Sequence, residues 1–356
     1  MVNPAAPTVT FEYGAYERTV AARARARRSS QGISAGVLTA KQYTSRCVNN
    51  FRHTSVVISD EVATALDEHR GVVALESTIV VQGLPSPVNL EVAADCEAAV
   101  RAGGAVPATI GLSGGTVVVG LTDEELERLA DPSRDAAKLS ARDVGVAAAL
   151  HRDGATTVAG TIAIAHRVGI DAMATGGLGG VHRGAAASFD ESADLTTLSR
   201  TPVLVVASGV KSILDIAATL ERLDSLGVPV VGYRTTRFPG FYRSDSGLAI
   251  DWTVHSELEA ATTFLAHREF SATGFLLANP VTPECQLDAV LHETALTAAL
   301  DAANGADVSG KDVTPVMLAE FARHTAGESV RVNRDLVVAN AALAGRVASE
   351  MAALHR

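Results

Sequence analysis

Pro202-Val-Leu-Val-Val-Ala-Ser-Gly-Val-Lys-Ser-Ile-Leu-Asp-Ile-Ala-Ala-Thr-Leu-Glu-Arg-Leu-Asp-Ser-Leu-Gly-Val-Pro-Val-Val-Gly-Tyr233 holds the fold of the chain in one stretch. Pro202–Ala207 reads as a buried strand, Ser212–Leu226 as a helix and Val228–Tyr233 as the next strand. Strands separated by helices of roughly 10–15 residues argue for a largely parallel sheet with helices on both faces.

The same alternation extends in both directions. Upstream, a helix over Asp60–Glu68 precedes the short strand Gly71–Leu75, and Asn89–Arg101 is a helix stopped at Gly103-Gly104. Val106–Ile110 and Thr116–Val119 read as strands. Thr122-Asp-Glu-Glu125 is a capping box, in which hydroxyl and carboxylate satisfy free N–H groups at a helix start. Ser140-Ala-Arg-Asp143 has the related spacing ahead of Val144–Leu150. Asp171–Thr175 is a strand that runs into a glycine-rich loop. Downstream, Ser256-Glu-Leu-Glu259 opens a helix, Gly274–Ala278 is a strand, and Pro315 sits in the first turn of a late helix, where its missing N–H costs little. The expectation is a single α/β/α sandwich domain over residues 56–356 with a central, largely parallel (mixed) sheet. Ligands of such sheets gather beyond the carboxyl ends of the strands.

Composition bounds the chemistry. The chain has 356 residues, 47% of them hydrophobic, enough for a sizeable core. Its net charge of −10 lacks the basic footprint of a general nucleic-acid binder. Cys47, Cys96 and Cys285 are odd in number and widely spaced, which argues against a disulfide framework and for a reducing cytoplasm. No apolar run approaches the ~18 residues of a membrane span. Residues 1–55 read differently. The run Ala21-Ala-Arg-Ala-Arg-Ala-Arg-Arg-Ser-Ser30 fits either a disordered extension, an upstream start or a transit peptide.

Lys211 follows the strand Pro202–Ala207 at the expected start of a helix. Partial burial and the helix dipole would both favour its neutral, nucleophilic amine; otherwise it snorkels to solvent. Glu76 ends a strand and suits general acid/base work if its pocket is apolar, or else caps a neighbouring amide. Thr175-Gly-Gly-Leu-Gly-Gly-Val-His-Arg-Gly184 satisfies neither the dinucleotide G-x-G-x-x-G pattern nor a P-loop, but fits an anion-binding nest or a tight turn. Asp190 and Asp194 bracket Ser192 and offer oxygen donors to a hard divalent ion, unless the loop is merely solvated. Lys138 and Arg142 flank Ser140 and reach either a phosphate or solvent. The ten histidines form no H-E-x-x-H cluster.

An ordered set of segments resembles the pseudouridine-5'-phosphate glycosidase family, which includes the indigoidine synthase A proteins. They are Val72–Ile79, Gly104–Ile110, Gly154–Ala159, Ala174–Gly184, Phe189–Leu195, Lys211–Asp215, Ala278-Asn-Pro280 and Gly310-Lys311 with Thr314-Pro315. The set runs from about residue 57 to the end of the chain, leaving the first ~55 residues outside it.

The resemblance implies reversible cleavage of the carbon–carbon glycosidic bond of pseudouridine 5'-phosphate to uracil and ribose 5-phosphate. It implies Lys211 as nucleophile through a Schiff base with the ring-opened sugar, and Glu76 as proton donor. Lys138, Val158, Ser192, Ala193, Asp194 and Asn333 match substrate-binding positions. Asp190 matches the ligand of one Mn²⁺, with Mg²⁺ or another divalent ion as substitute. His182 lies inside a matching motif without an assigned role. The resemblance further implies an α/β/α fold and a homotrimer, with no nucleic-acid or membrane partner. Gly160 stands where serine is expected, and Ala339 where asparagine is expected beside Asn340. Two competing readings share parts of this pattern: another Schiff-base lyase or aldolase acting on a sugar phosphate, and a non-catalytic accessory protein of a pigment cluster.

Overall fold

The computed structural model describes residues 47–51, 54–305 and 313–355. Most of the expected N-terminal extension, and the matched pair Gly310-Lys311, lie outside the described residues. Twelve strands form one sheet among them: β1 (Cys47–Phe51), β2 (Thr54–Ile58), β3 (Val72–Glu76), β4 (Val106–Ser113), β5 (Thr116–Val119), β6 (Ala137–Leu139), β7 (Gly154–Thr156), β8 (Ala172–Ala174), β9 (Leu204–Ala207), β10 (Val230–Tyr233), β11 (Trp252–Val254) and β12 (Phe275–Ala278). The order is β1-β2-β5-β4-β3-β8-β9-β12-β10-β11, with β7 attached to β4 and β6 to β7. Only the β1–β2, β4–β5 and β4–β7 pairs are antiparallel. β1 pairs with β2 from Cys47 to Ile58, so the sheet begins upstream of residue 56.

The expected mixed, mostly parallel α/β/α architecture is therefore present. Parallel strands buried on both faces read as continuous apolar runs, and β3, β9 and β12 are buried along their whole length. The chain builds outward from β3 through β4 on one side and from β8 through β9 and β12 on the other. The β3–β8 junction is thus a topological switch point, where a crevice opens at the strand carboxyl ends.

Helix starts carry the signals read from sequence. Thr122 and Glu125 form the capping box of Asp123–Ala130, and Ser256 caps Glu257–Phe270. Asp143 accepts from the backbone N–H and hydroxyl of Ser140 (3.0 and 2.9 Å), closing a turn ahead of Val144–Ala149. Helix Val158–Val168 packs on β3, β4 and β8, and the 27-residue helix Glu328–Leu354 packs on β3, β8 and β9. The latter is long and apolar enough to cross a membrane, yet it runs through the core and buries Val332, Leu336, Ala341, Ala344 and Val347. Gly345 lets it touch helix Val88–Ala102: an added Cβ would lie 2.7 Å from the Val100 carbonyl oxygen. That close approach fixes the element carrying Asn333 and Asn340.

One expectation is corrected. The helix anticipated from Ser212 begins at Ile216. The Ser212 hydroxyl donates to the Gly240 carbonyl (2.7 Å), and the Asp215 N–H donates to Val181 O (2.9 Å) while its carboxylate caps Ala218 N–H (3.0 Å). These bonds hold residues 211–215 in a turn, so Lys211 lies outside the helix whose dipole was expected to act on it.

Candidate active site

Glu76 is the last residue of β3 and is 7% exposed. Its two carboxylate oxygens accept from the hydroxyls of Thr78 and Thr175. Ser77, between the partners, donates to Ile110 O (2.7 Å) and accepts from Thr156 N–H (2.9 Å), tying the end of β3 to β4 and β7. A carboxylate this buried needs such partners, because an unpaired one would pay its full desolvation cost. The surface-loop alternative for Glu76 is excluded.

Lys211 stands on the turn after β9. Its backbone N–H donates to Leu178 O (3.2 Å), and Val210 bridges to Leu178, so the lysine turn is zipped to the glycine-rich loop. Among the described residues its amine has no hydrogen-bond or ion-pair partner. Phe241, 2% exposed at φ 63°, walls this region. A Cβ on Gly177 would lie 2.5 Å from the Phe241 ring and 3.5 Å from Lys211 Cγ. Glycine at 177 is therefore what admits the ring beside the lysine stem. A phenylalanine in the left-handed region is an outlier of the kind that gathers at functional sites.

The glycine-rich loop is braced by Asp194, 5% exposed. One oxygen accepts from Gly179 N–H (2.9 Å) and the other from Ala159 N–H (2.8 Å), in the first turn of helix Val158–Val168. The carboxylate also meets the positive end of that helix dipole. Asn340, fully buried, plays a matching part on the other side. Its amide donates to Thr175 O (2.8 Å) and Ser208 Oγ (3.1 Å) and accepts from Asn279 Nδ2 (2.9 Å), joining the ends of β8, β9 and β12.

His182 Nδ1 lies 3.8 Å from Asp190 Oδ2. Burial pushes the imidazole below its ordinary value; Asp190 opposes this, and the Lys138 and Lys211 cations reinforce it. Among the described residues no three His, Cys, Asp or Glu side chains are grouped to cage a metal. One carboxylate beside one imidazole suits a hard ion that keeps most of its waters. The expected Asp190 site fits on those terms only.

These groups surround one cavity of about 890 Å³. Lys211, Glu76, Lys138, Val158, Asp190, Ser192, Ala193, Asp194 and Asn333 all line it, as do His182 and Arg142. Tertiary structure thus brings every proposed site residue to one place. Gly160 is explained by contact, since a Cβ there would lie 2.6 Å from Leu139 O. Ala339 is exposed and does not line the cavity.

Sequence reasoning missed Thr78, Gln82, Phe241 and Leu318 on the same wall. Thr78 and Thr175 lay inside quoted motifs, each a hydroxyl at or just beyond the end of an expected strand. Phe241 carried none, because its loop has no periodicity and its φ is invisible in sequence.

Residues 61–350 match the model of the family described as indigoidine synthase A like protein. A pseudouridine-5'-phosphate glycosidase of Salinispora tropica is 56% identical over 295 residues, covering 82% of this chain and 91% of the relative. One from Chloroflexus aurantiacus is 50% identical over 301 residues, covering 83% and 99%. Among solved structures, the prealnumycin C-glycosynthase AlnA in complex with ribulose 5-phosphate superposes with a TM-score of 0.78 at 39% identity, over 84% of this chain and 98% of AlnA. An indigoidine synthase A-like protein of Thermotoga maritima gives a TM-score of 0.78 at 32% identity, over 85% and 99%. The chain belongs to the indigoidine synthase A like family.

Proposed function

We propose that this protein cleaves, reversibly, the carbon–carbon glycosidic bond of pseudouridine 5'-phosphate, releasing uracil and ribose 5-phosphate. The observation that carries the reading is the pairing of Lys211, an amine without an ion-pair partner among the described residues, with the buried carboxylate Glu76 on one cavity. The names of the relatives support the substrate, and the ribulose 5-phosphate complex of AlnA supports a sugar phosphate.

A C-glycoside has no heteroatom leaving group on its base. In this reading the Lys211 amine bonds to C1' as the C1'–O4' bond breaks and O4' takes a proton. The nitrogen, cationic after this attack, gives a proton to the Glu76 carboxylate; its lone pair then expels the base while the base's ring carbon accepts a proton, leaving a C1' iminium on Lys211. Water hydrolyses the iminium, restoring the amine and freeing ribose 5-phosphate. Glu76, entering as the acid, gives a proton to O4', recovers one from the nitrogen and passes it to the ring carbon, all from a position fixed by Thr78 and Thr175. Lys138, Val158, Ser192, Ala193, Asp194 and Asn333 bind substrate in this reading. Asp190 would hold a divalent ion, Mn²⁺ first, which would supply positive charge near the substrate anion. The active unit is a homotrimer in a reducing cytoplasm.

The deciding experiment is incubation with pseudouridine 5'-phosphate and Mn²⁺, followed by borohydride reduction with ribose 5-phosphate and intact-mass analysis. Uracil release and an adduct abolished by Lys211→Ala are expected. No uracil release, or an adduct that persists in Lys211→Ala, overturns the reading.

A further inference from the structure

Six buried side-chain polar atoms lack a hydrogen-bond partner among the described residues, and two of them, Gln82 Oε1 and Asn333 Oδ1, belong to residues lining the cavity. A buried acceptor without a donor keeps its full desolvation cost, so a pair of them on one cavity marks a place where a ligand brings donors. Both are amide oxygens, and neither suits a phosphate or a carboxylate.

Gln82 is held for that task. It lies on the π-helical turn Ile79–Gly83, which follows directly from the strand that ends in Glu76. Turns of this kind recur at functional sites because they re-aim a side chain out of the regular helical ladder. The Gln82 amide nitrogen donates to Ala136 O (3.3 Å), two residues before Lys138, and this bond sets which end of the amide is the free oxygen. Asn333 is 6% exposed and approaches from helix Glu328–Leu354, its oxygen 3.2 Å from where a Gly176 Cβ would lie. The glycine at 176 leaves room beside it.

The donors follow from the substrate of the proposed function, on which this inference rests. A uracil attached through its ring carbon C5 carries two N–H groups, at N1 and N3. A uracil attached through N1 carries only one. We propose that Gln82 is a specificity-determining residue whose amide oxygen accepts one of the two ring N–H groups, Asn333 accepting the other. The cavity then distinguishes a C-linked from an N-linked pyrimidine by counting donors. The N-linked nucleotide leaves one buried acceptor empty, and sites built to bond an N–H reject analogues lacking it strongly.

The test uses pseudouridine 5'-phosphate and its N1-methyl and N3-methyl derivatives, each assayed for base release by wild type and Gln82→Met. Wild type is expected to lose about a hundredfold in kcat/KM on each methylated substrate. Gln82→Met, close in shape but without the acceptor, is expected to bring the parent-to-methylated ratio near one for one of the two derivatives and to leave the other ratio high. General damage to the fold lowers all substrates together and keeps both ratios, so two unchanged ratios overturn the assignment. Equal rates of wild type on parent and methylated substrates overturn it as well. If wild type releases no base even from pseudouridine 5'-phosphate, the reaction itself is wrong and the assignment falls with it.

Discussion

The Thr175 hydroxyl donates to the Glu76 carboxylate across the β8–β3 pair, at the switch point of the sheet. With Thr78 on the other oxygen, the buried carboxylate is held at a fixed place between two strands. Thr175→Val keeps the shape and removes one donor. Leaving a buried acceptor short of a partner costs about 1–3 kcal/mol, so base release should fall roughly tenfold or more. Thr175→Ser should retain most of the rate. Steady-state assays of both variants check this, and equal rates for valine and wild type would falsify it.

Asp194→Ala strips the acceptor from both Gly179 N–H and Ala159 N–H. The glycine-rich loop and the start of helix Val158–Val168 then lose their common brace. Stability should drop by about 2–6 kcal/mol, two unsatisfied buried donors at the usual cost each. Urea denaturation measures it, and a loss under ~0.5 kcal/mol would show that water replaces the carboxylate.

Gly177→Ala places a Cβ 2.5 Å from the Phe241 ring and so displaces the wall beside Lys211. Small misplacements near reacting atoms can cost about a hundredfold, and the rate of borohydride-trapped adduct formation should fall at least tenfold. Phe241→Gly removes the ring and relieves the positive φ. The double variant should then be no slower than Phe241→Gly alone, because contacting residues are non-additive. Additive losses would place the effect elsewhere.

His292, 8% exposed beside Phe321, sets a pH dependence of stability. Burial pushes its imidazole below the ordinary value, Glu293 opposes, and the Arg243 and Arg183 cations add to the push. Below about pH 6.5 the unfolded chain binds a proton that the folded one still refuses. The contribution is thus intact above that pH and is lost as pH falls through the lower folded value. His292→Phe should flatten the stability difference between ~pH 7.5 and ~pH 5.5. Parallel denaturation midpoints for the two proteins would refute the role.

Strand and helix order was legible because parallel strands must be apolar throughout and helix starts need side-chain acceptors, both local requirements. Ile216 shows the limit. Nothing near Ser212 reveals that its hydroxyl serves Gly240 in a distant loop, so a helix start read from sequence alone falls four residues early. The site residues were legible through resemblance, and their physical partners were not.

By itself, the sequence determined the element types, the α/β/α class and the residues available for chemistry. Those follow from periodicity, capping and residue type, which act over a few positions. Only the tertiary structure decided that Glu76 is buried between two threonines, that Phe241 walls Lys211 through Gly177, and that two amide oxygens of cavity residues are left without donors among the described residues. Each of these depends on at least one group brought from a distant part of the chain, and such meetings are set by packing rather than by local preference.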